Sequence, residues 1–293
     1  MRPRLLIVGA TGFVGSRWAQ AADGQFEVFC GARQPADQPR PVAIDITDTA
    51  SVERAFDEVR PQFVTHLAAL SDIDRAERER ELAETINVDG AVRVAEACAR
   101  HGARMLYTST DAVFDGTRGI YHEDDPTSPV NWYGQTKARA EQAIARISPS
   151  ALIVRLSLVM GTSALPGGNS YLQKVAGNLK AGNDIISPTF EFRNPIDVGT
   201  LCEFFLELTP RPDATGIYHV GASDKMSRFD LARAIAEQLG YNPGLIVAQT
   251  EPVPGRAPRG HDDFLATDRL RALCRTAIPT CRQVVERACD AVT

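Results

Sequence analysis

The chain has 293 residues, enough for one large domain or two closely packed ones. Hydrophobic residues make up 44% and charged residues 24% of it, which excludes the disordered, collagen-like and coiled-coil classes. The formal net charge of −5 gives no general basic surface for a phosphate backbone. We therefore expect no nucleic-acid partner, and a small molecule as the ligand.

The spacing of cysteines and histidines favours neither a disulfide framework nor a metal site. The six cysteines lie far apart without a C-x-x-C pair, and the five histidines show no H-x-x-x-H or H-E-x-x-H spacing. The apolar run at 5–8, after two arginines, is too short for a signal peptide or a membrane helix. We expect reduced thiols, no metal, no membrane partner and a cytoplasmic location.

Through the first half of the chain, short apolar runs alternate with longer amphipathic segments at intervals of about 30 residues, the length of a βαβ unit. The runs lack polar alternation, which is typical of strands covered by helices on both faces. The pattern predicts an α/β fold with a doubly wound parallel sheet, the Rossmann arrangement. The predicted strands are 5–8, 27–30, 63–66, 105–109 and 152–156, and the predicted helices are 13–22, 50–59, 79–100 and 133–147.

The alternation weakens after residue 160. Further helices are predicted at 170–180, 197–208, 227–239 and 279–290, and the stretch 242–263 is rich in proline and glycine, as surface or cleft segments are. We expect residues 1–160 to form the nucleotide-type Rossmann domain. Residues 161–293 would form mostly a smaller C-terminal α/β cap that binds substrate, with some segments returning to the Rossmann domain.

A glycine-rich turn follows the first predicted strand directly, with Gly9, Gly12 and Gly15 leading into a predicted helix. A strand-to-helix turn gathers unpaired backbone N–H groups at the positive end of the helix, and glycines let a pyrophosphate approach them. The spacing G-x-x-G-x-x-G differs from the common G-x-G-x-x-G fingerprint and lacks the G-K-[ST] of a P-loop. It predicts a dinucleotide phosphate site.

The end of the second predicted strand, which selects the cofactor in such domains, carries Arg33 and no carboxylate. A guanidinium can pair with a 2′-phosphate, so we favour NADP over NAD. Asp45 has two interpretations that the sequence leaves open. It could accept a hydrogen bond from the adenine amino group, or cap the helix that begins near residue 48.

Tyr133 and Lys137 lie four residues apart at the start of a predicted helix, which sets the phenol and the ammonium on one face. A free tyrosine has a pKa near 10. A neighbouring ammonium and a positively charged nicotinamide ring would both favour the phenolate, bringing the group towards the range useful for acid–base catalysis.

Taken together, these motifs resemble the extended short-chain dehydrogenase/reductase family over essentially the whole chain. The motifs are GATGFVG, IDIT, HLAAL at 66–70, Asn87, YTSTDAVFDG at 107–116, YGQTK at 133–137 and RLSLVMG at 155–161. Within the family the chain is most similar to the dTDP-4-dehydrorhamnose reductase branch. The resemblance implies reduction of a keto group on a nucleotide-activated sugar.

The resemblance also implies site roles. Thr110 would hydrogen-bond the substrate oxygen, Tyr133 would be the general acid, and Lys137 would bind the nicotinamide ribose and lower the pKa of the tyrosine. Two positioned hydroxyls suit a carbonyl that gains negative charge as hydride arrives. The implied cofactor contacts are Gly9, Thr11, Gly12, Phe13, Val14, Gly15, Arg33, Asp45, Ile46, Leu67, Ala68, Ala69, Thr108, Tyr133 and Lys137.

The substrate end departs from the branch. Ala112 stands where these reductases usually have tyrosine, and the glutamate that 4,6-dehydratases use is absent, which disfavours dehydration. The segment 192–195 replaces a family motif of the cap. We expect substrate contacts from Asp111, Asn169, Arg193 and Arg259. Two interpretations remain open for each of Arg193, Arg256 and Arg259. The side chain could bind a nucleotide diphosphate, or it could be a dispersed charge on the surface.

Two other functions remain open. A redox-neutral sugar-nucleotide epimerase would retain its nicotinamide through each cycle, and a non-catalytic NADP-binding regulatory protein would resemble the regulatory subunit of methionine adenosyltransferase. Family resemblance also implies a homodimer, paired through the helices at 79–100 and 133–147.

Overall fold

The structure, a computed structural model, describes residues 2–35, 38–165 and 170–290. Its α-helices are α1 Phe13–Ala22, α2 Thr49–Val59, α3 Ile73–Arg78, α4 Arg80–Glu84, α5 Gly90–His101, α6 Trp132–Ile147, α7 Tyr171–Lys180, α8 Val198–Leu208, α9 Arg228–Gln238, α10 Asp268–Leu273 and α11 Cys281–Asp290. Short 3-10 turns lie at Asp111–Val113 and Pro243–Leu245.

The strands of the larger sheet are β1 Arg4–Val8, β2 Glu27–Ala32, β3 Pro41–Ala43, β4 Phe63–His66, β5 Arg104–Thr110 and β6 Leu152–Leu156, together with β11 Gly216–Val220. The shorter pairs use β7 Val159–Met160, β8 Ile185–Pro188, β9 Phe192–Arg193, β10 Ile196–Asp197, β12 Met226–Ser227 and β13 Ile246–Gln249.

The central sheet has seven strands in the order β11-β6-β5-β4-β1-β2-β3. Every neighbouring pair is parallel, with Leu5 opposite Val28 on one side and Phe63 on the other. The order reverses between β1 and β4, and ligands of such sheets bind outside the carboxyl ends of the strands at this point. The predicted doubly wound parallel fold is confirmed.

Side chains of β1 explain why the strand is apolar throughout. Leu5 and Ile7 join the core on one face, with Trp18 of α1 against Phe205 of α8 at 5.5 Å between ring centroids. Leu6 and Val8 join the core on the other face, which α2, α5 and α6 cover. Each fully buried side chain of this size contributes about 1.5–3 kcal/mol, so both apolar layers hold the helices against the sheet.

The cap has its own apolar core, formed by α7, α9, α11 and the parallel pair β8 and β13. The chain does not stay in the cap after residue 160, because β11 pairs with β6 at the edge of the central sheet. Helix α8 likewise belongs to the layer beside α1. The sequence did not predict β11 or the short edge strand β3.

The predicted helix at 79–100 is confirmed as one uninterrupted helical stretch over residues 80–101. The sequence did not predict that a π-helical turn at Thr85–Asp89 lies inside it, between α4 and α5. A π turn inserts one extra residue and rotates its side chains relative to the helix on either side. Here it aims the buried Asn87 at the loop after β4, where Asn87 Oδ1 accepts a hydrogen bond from the Leu70 N–H at 2.8 Å.

In the part of the chain that the structure describes, no helix combines the length and the apolar character needed to cross a bilayer.

Candidate active site

A cleft of about 960 Å³ lies between the carboxyl ends of the central strands and the cap. Of the predicted cofactor residues, all fifteen line it: Gly9, Thr11, Gly12, Phe13, Val14, Gly15, Arg33, Asp45, Ile46, Leu67, Ala68, Ala69, Thr108, Tyr133 and Lys137. So do the predicted substrate residues Asp111, Arg193 and Arg259. Asn169, also predicted to bind substrate, lies outside the described residues.

The glycine turn at one end of the cleft needs its glycines for steric reasons. Gly9 has φ +96°, and a Cβ there would lie 2.8 Å from the Ala68 nitrogen. A Cβ on Gly15 would lie 2.2 Å from the Gly9 carbonyl oxygen. The helix α1 that follows has no capping side chain and no acidic residue in its first turn. Its N-terminus therefore faces the cleft as a site for an anion such as a pyrophosphate.

Arg33 and Asp45 lie on the same side of the glycine turn, at the ends of neighbouring strands. Arg33 is exposed. Asp45 Oδ1 accepts hydrogen bonds from Thr47, at 2.9 Å from its nitrogen and 2.7 Å from its hydroxyl, and these hold the pKa of Asp45 below its usual range. Asp48 caps α2, so the interpretation of Asp45 as the helix cap is wrong.

The loop after β4 forms one wall, where Leu67, Ala68 and Ala69 line the cleft. Asn87 holds this wall, since its Nδ2 donates to the Leu70 carbonyl at 3.2 Å and to the Thr136 hydroxyl at 3.1 Å. The π turn thus fastens the loop to the helix that carries the tyrosine and the lysine.

Thr110 ends β5 and Tyr133 opens α6, and both line the middle of the cleft. Burial raises the pKa of the Tyr133 phenol well above its usual value, and the charge of Asp111 adds to this, while a hydrogen bond with Thr110 acts in the opposite direction. Tyr133 is therefore held in its protonated form, as a proton donor must be. The predicted lowering of this pKa by Lys137 and a nicotinamide ring stays a prediction.

Lys137 lies one helical turn further, fully enclosed. Its Nζ donates to the Thr108 carbonyl at 2.7 Å and lies 4.1 Å from the centroid of the Tyr107 ring. Burial lowers the pKa of Lys137 to about 7, although the carboxylate of Glu141 opposes that effect. The ammonium is thus bound to the strand that carries Thr110.

The far end of the cleft is built from arginine–carboxylate pairs between distant segments. Arg259 contacts Asp74 with two hydrogen bonds, of 2.9 and 2.8 Å, and these lower the pKa of Asp74 to about 2. Arg256 donates to Glu191 at 2.9 Å. Both arginines line the cleft, so the interpretation of Arg256 and Arg259 as dispersed surface charges is wrong.

Arg193 lies in the cleft wall with only 8% of its surface exposed, so its interpretation as a surface charge is wrong. Its guanidinium contacts Asp263 at 2.9 Å and Asp111 at 3.4 Å and donates to the carbonyls of Phe192 and Gly260. From the sequence, Arg193 is one of the groups that could grip a diphosphate. In the structure two carboxylates already hold its guanidinium, which disfavours that role.

The cleft residues that sequence reasoning missed include the charged side chains of Lys174, Arg228 and Asp263. Arg228 stacks on Tyr171 at 4.2 Å, and its buried Nε has no hydrogen-bond partner within the described ranges. Asp263 follows Asp262 in an acidic pair beside Gly260, and such a pair in a glycine-rich loop was the only available indication. Across the ranges described, no cluster of residues suits a metal ion, and all six cysteines are free thiols.

Comparison with known proteins agrees with this geometry. The model of the family described as RmlD substrate binding domain matches residues 2–293. The dTDP-4-dehydrorhamnose reductase of Mycolicibacterium smegmatis is 31% identical over 298 residues, covering 100% of this chain and 86% of the relative. Methionine adenosyltransferase 2 subunit beta of Xenopus laevis is 29% identical over 280 residues, covering 92% and 82%.

A solved structure has the same fold from end to end. The dTDP-4-dehydrorhamnose reductase of Bacillus anthracis, determined in complex with NADP, superposes with a TM-score of 0.89 at 27% identity and covers 98% of this chain and 99% of that one. The resemblance inferred from the motifs is confirmed. The chain belongs to the RmlD substrate binding domain family, within the short-chain dehydrogenase/reductase type of oxidoreductase.

Proposed function

We propose that the protein reduces a keto group of a nucleotide-activated sugar with NADPH, and that Tyr133 is the general acid. One observation carries this proposal: Thr110, Tyr133 and Lys137 meet in a cleft whose other end is an uncapped, glycine-lined helix N-terminus. The relatives named as dTDP-4-dehydrorhamnose reductases support the class of substrate.

The residues present fit a nicotinamide dinucleotide. The turn around Gly9 and Gly15 has no room for side chains, and the N-terminus of α1 supplies donors for a pyrophosphate. When bound, the reduced cofactor supplies hydride. Arg33, exposed at the end of β2, can pair with a 2′-phosphate, and this supports NADP over NAD.

The chain's own groups account for the proton. As a carbonyl carbon gains hydride, its oxygen becomes negatively charged, and the phenol of Tyr133 gives that oxygen its proton. The raised pKa of Tyr133 keeps the proton available until the oxygen needs it. The Thr110 hydroxyl, which donates to Asp111 Oδ1 at 3.0 Å, becomes a second donor when it turns towards the substrate oxygen. Two positioned donors at a developing oxyanion lower its free energy.

The far end of the cleft suits a diphosphate. Arg228 has a free buried Nε and Lys174 is exposed at the cleft. Arg256 and Arg259 line the same region with one carboxylate partner each, whereas Arg193 has two. A diphosphate carries charge that attracts guanidinium groups in bidentate pairs. We assign the nucleotide diphosphate to this cluster rather than to Arg193.

The experiment is a screen of dTDP-, UDP- and GDP-activated keto sugars, following the loss of NADPH absorbance. Stoichiometric NADPH consumption with one of them supports the reductase. Turnover of a sugar nucleotide without net NADPH loss, by protein that retains cofactor through dialysis, would instead identify the epimerase.

A regulatory protein without turnover is the second candidate, since methionine adenosyltransferase 2 subunit beta is 29% identical to this chain. The intact grouping of Thr110, Tyr133 and Lys137 favours the enzyme over it. The regulatory function would be favoured if NADPH binds tightly, no keto sugar is reduced, and Tyr133→Phe changes neither property.

A further inference from the structure

Three distant segments bring charged side chains to one buried point beside Thr110. Asp111 follows β5, Arg193 ends β9, and Asp263 lies in the loop before α10. Asp111 is 9%, Arg193 8% and Asp263 1% exposed. Burying charges costs free energy unless they are paired, so two carboxylates with one guanidinium form an unbalanced cluster.

Asp263 is placed tightly. A Cβ on Gly260 would lie 2.1 Å from Asp263 Oδ1, and a Cβ on Gly116 would lie 2.6 Å from it, so only glycines leave room for this carboxyl group. Arg193 is its one ion-pair partner among the residues that the structure describes, and neither carboxyl oxygen accepts a hydrogen bond there. The carboxyl group is therefore aimed at Arg193 and at nothing else that could neutralise it.

Arg193 transmits this contact to the reacting groups. Its Nε lies 3.4 Å from Asp111 Oδ2, which also accepts from the Ser157 hydroxyl at 3.2 Å. Asp111 Oδ1 accepts the proton of the Thr110 hydroxyl at 3.0 Å, while that hydroxyl accepts from the Ala112 N–H at 3.1 Å. The direction in which Thr110 points its proton thus depends on the charge of Asp111 and its partners.

We propose that Asp263 is a positioning residue for carbonyl reduction: through Arg193 it orients Asp111 and thereby the Thr110 hydroxyl, and it contributes to the charge that faces the developing oxyanion. The proposal rests on the proposed reductase function. It links the loop carrying Arg256 and Arg259 to the carbonyl end of the cleft.

The charge balance supports a proton on this cluster at neutral pH. Burial raises the pKa of Asp263 to about 8; Arg193 opposes that effect, and the negative charges of Asp111, Asp262 and Glu191 add to it. Below that pH the cluster carries one guanidinium, one carboxylate and one neutral acid. Above it, an extra negative charge opposes the negative charge forming on the substrate oxygen.

The test compares Asp263→Asn with Asp262→Asn, the same change one residue earlier in the chain. Asp262 pairs with Lys225 and does not line the cleft. With NADPH and dTDP-4-dehydrorhamnose as the probe, kcat of the wild type should fall by about tenfold between pH 7 and pH 9, the span of one ionisation. Asp262→Asn should keep this decline with its midpoint moved to lower pH, because the charge of Asp262 adds to the raised pKa of Asp263. Asp263→Asn should lose this decline, because asparagine stays neutral.

Titration of Lys137 is common to all three proteins, so the difference between profiles isolates Asp263. Superimposable profiles would overturn the proposal. Should Asp263→Asn not fold, as urea unfolding would show, Asp263→Ser replaces it as a smaller neutral side chain.

A second measurement does not depend on turnover. The infrared spectrum of cofactor-free protein at pH 7 should show the C=O stretch of a protonated carboxyl group, present in Asp262→Asn and lost in Asp263→Asn. If the band persists in Asp263→Asn, the proposal fails. If the band behaves as expected but no keto sugar is reduced, the cluster stands and the proposed function fails.

Discussion

The two ends of the cleft are built in opposite ways. At the glycine turn, one stretch of seven residues provides the binding surface through its backbone, and Gly15 packs onto Gly9 only six residues away. At the far end, Arg259 pairs with Asp74 across 185 residues and Arg256 with Glu191 across 65. The first surface is local, whereas the second exists only when segments far apart in the chain fold together.

This difference means that the two ends of the cleft respond differently to substitution of their side chains. Backbone donors at a helix N-terminus do not depend on which side chains surround them. Paired arginines and carboxylates do, since removing one partner leaves the other charge buried or free to bind a ligand. Tyr133 and Thr110 lie where the two surfaces meet.

The largest effect is expected at that junction. Tyr133→Phe removes the proton donor alone, so kcat should fall by a factor on the order of 10² or more while NADPH affinity stays unchanged. Steady-state kinetics and fluorescence titration with NADPH measure the two quantities. Near-normal turnover would refute the assignment of the general acid.

Gly15→Ala tests the local surface. The new Cβ would lie 2.2 Å from the Gly9 carbonyl oxygen, so the turn must move at the place where a pyrophosphate would bind. We expect a loss of NADPH affinity of about tenfold or more and a fall of about 1–3 kcal/mol in the free energy of unfolding. Gly24→Ala is the control, because nothing lies within 4 Å of a Cβ there. Equal results for the two variants would contradict the steric argument.

Arg33→Ala separates the two cofactors. A lost charge-assisted hydrogen bond is worth about 1.5–3 kcal/mol, so the affinity for NADPH should fall about tenfold or more, with little change for NADH. Binding constants for both cofactors measure the ratio. Equal losses would remove the case for a contact with the 2′-phosphate.

The smallest effect is expected at the far end of the cleft, where Arg259 pairs with Asp74. The lowered pKa of Asp74 means that its pairing with Arg259 stabilises the fold above about pH 4 and that this contribution disappears as the pH falls towards about 2. Asp74 is 38% exposed, so screening reduces the contribution to about 0.2–1 kcal/mol.

Asp74→Asn should therefore be destabilised relative to wild type at pH 7, and the gap should narrow at pH 3, in urea unfolding followed by circular dichroism. Asp57→Asn, at a carboxylate 77% exposed, is the control and should leave stability unchanged. A gap that is constant with pH would show that Asp74 acts through its shape instead of its charge.

The sequence by itself determined what depends on neighbours along the chain. Apolar runs predicted the inner strands, because a strand buried on both faces must be apolar throughout. The glycine turn and the Tyr133–Lys137 spacing could also be predicted, because a tight turn and a single turn of helix both depend only on residues close together in the chain. Gly9, Gly12, Gly15, Tyr133 and Lys137 all line the cleft.

Tertiary structure decided the rest. The edge strand β11 depends on its pairing with β6, and the π turn on the contact of Asn87 with Leu70. From the sequence, Arg193 could be a surface charge or a ligand for a diphosphate, but the fold buries it between Asp111 and Asp263. Ion pairs and pKa values depend on burial and on partners brought together across the fold, and periodicity along the chain carries no information about either.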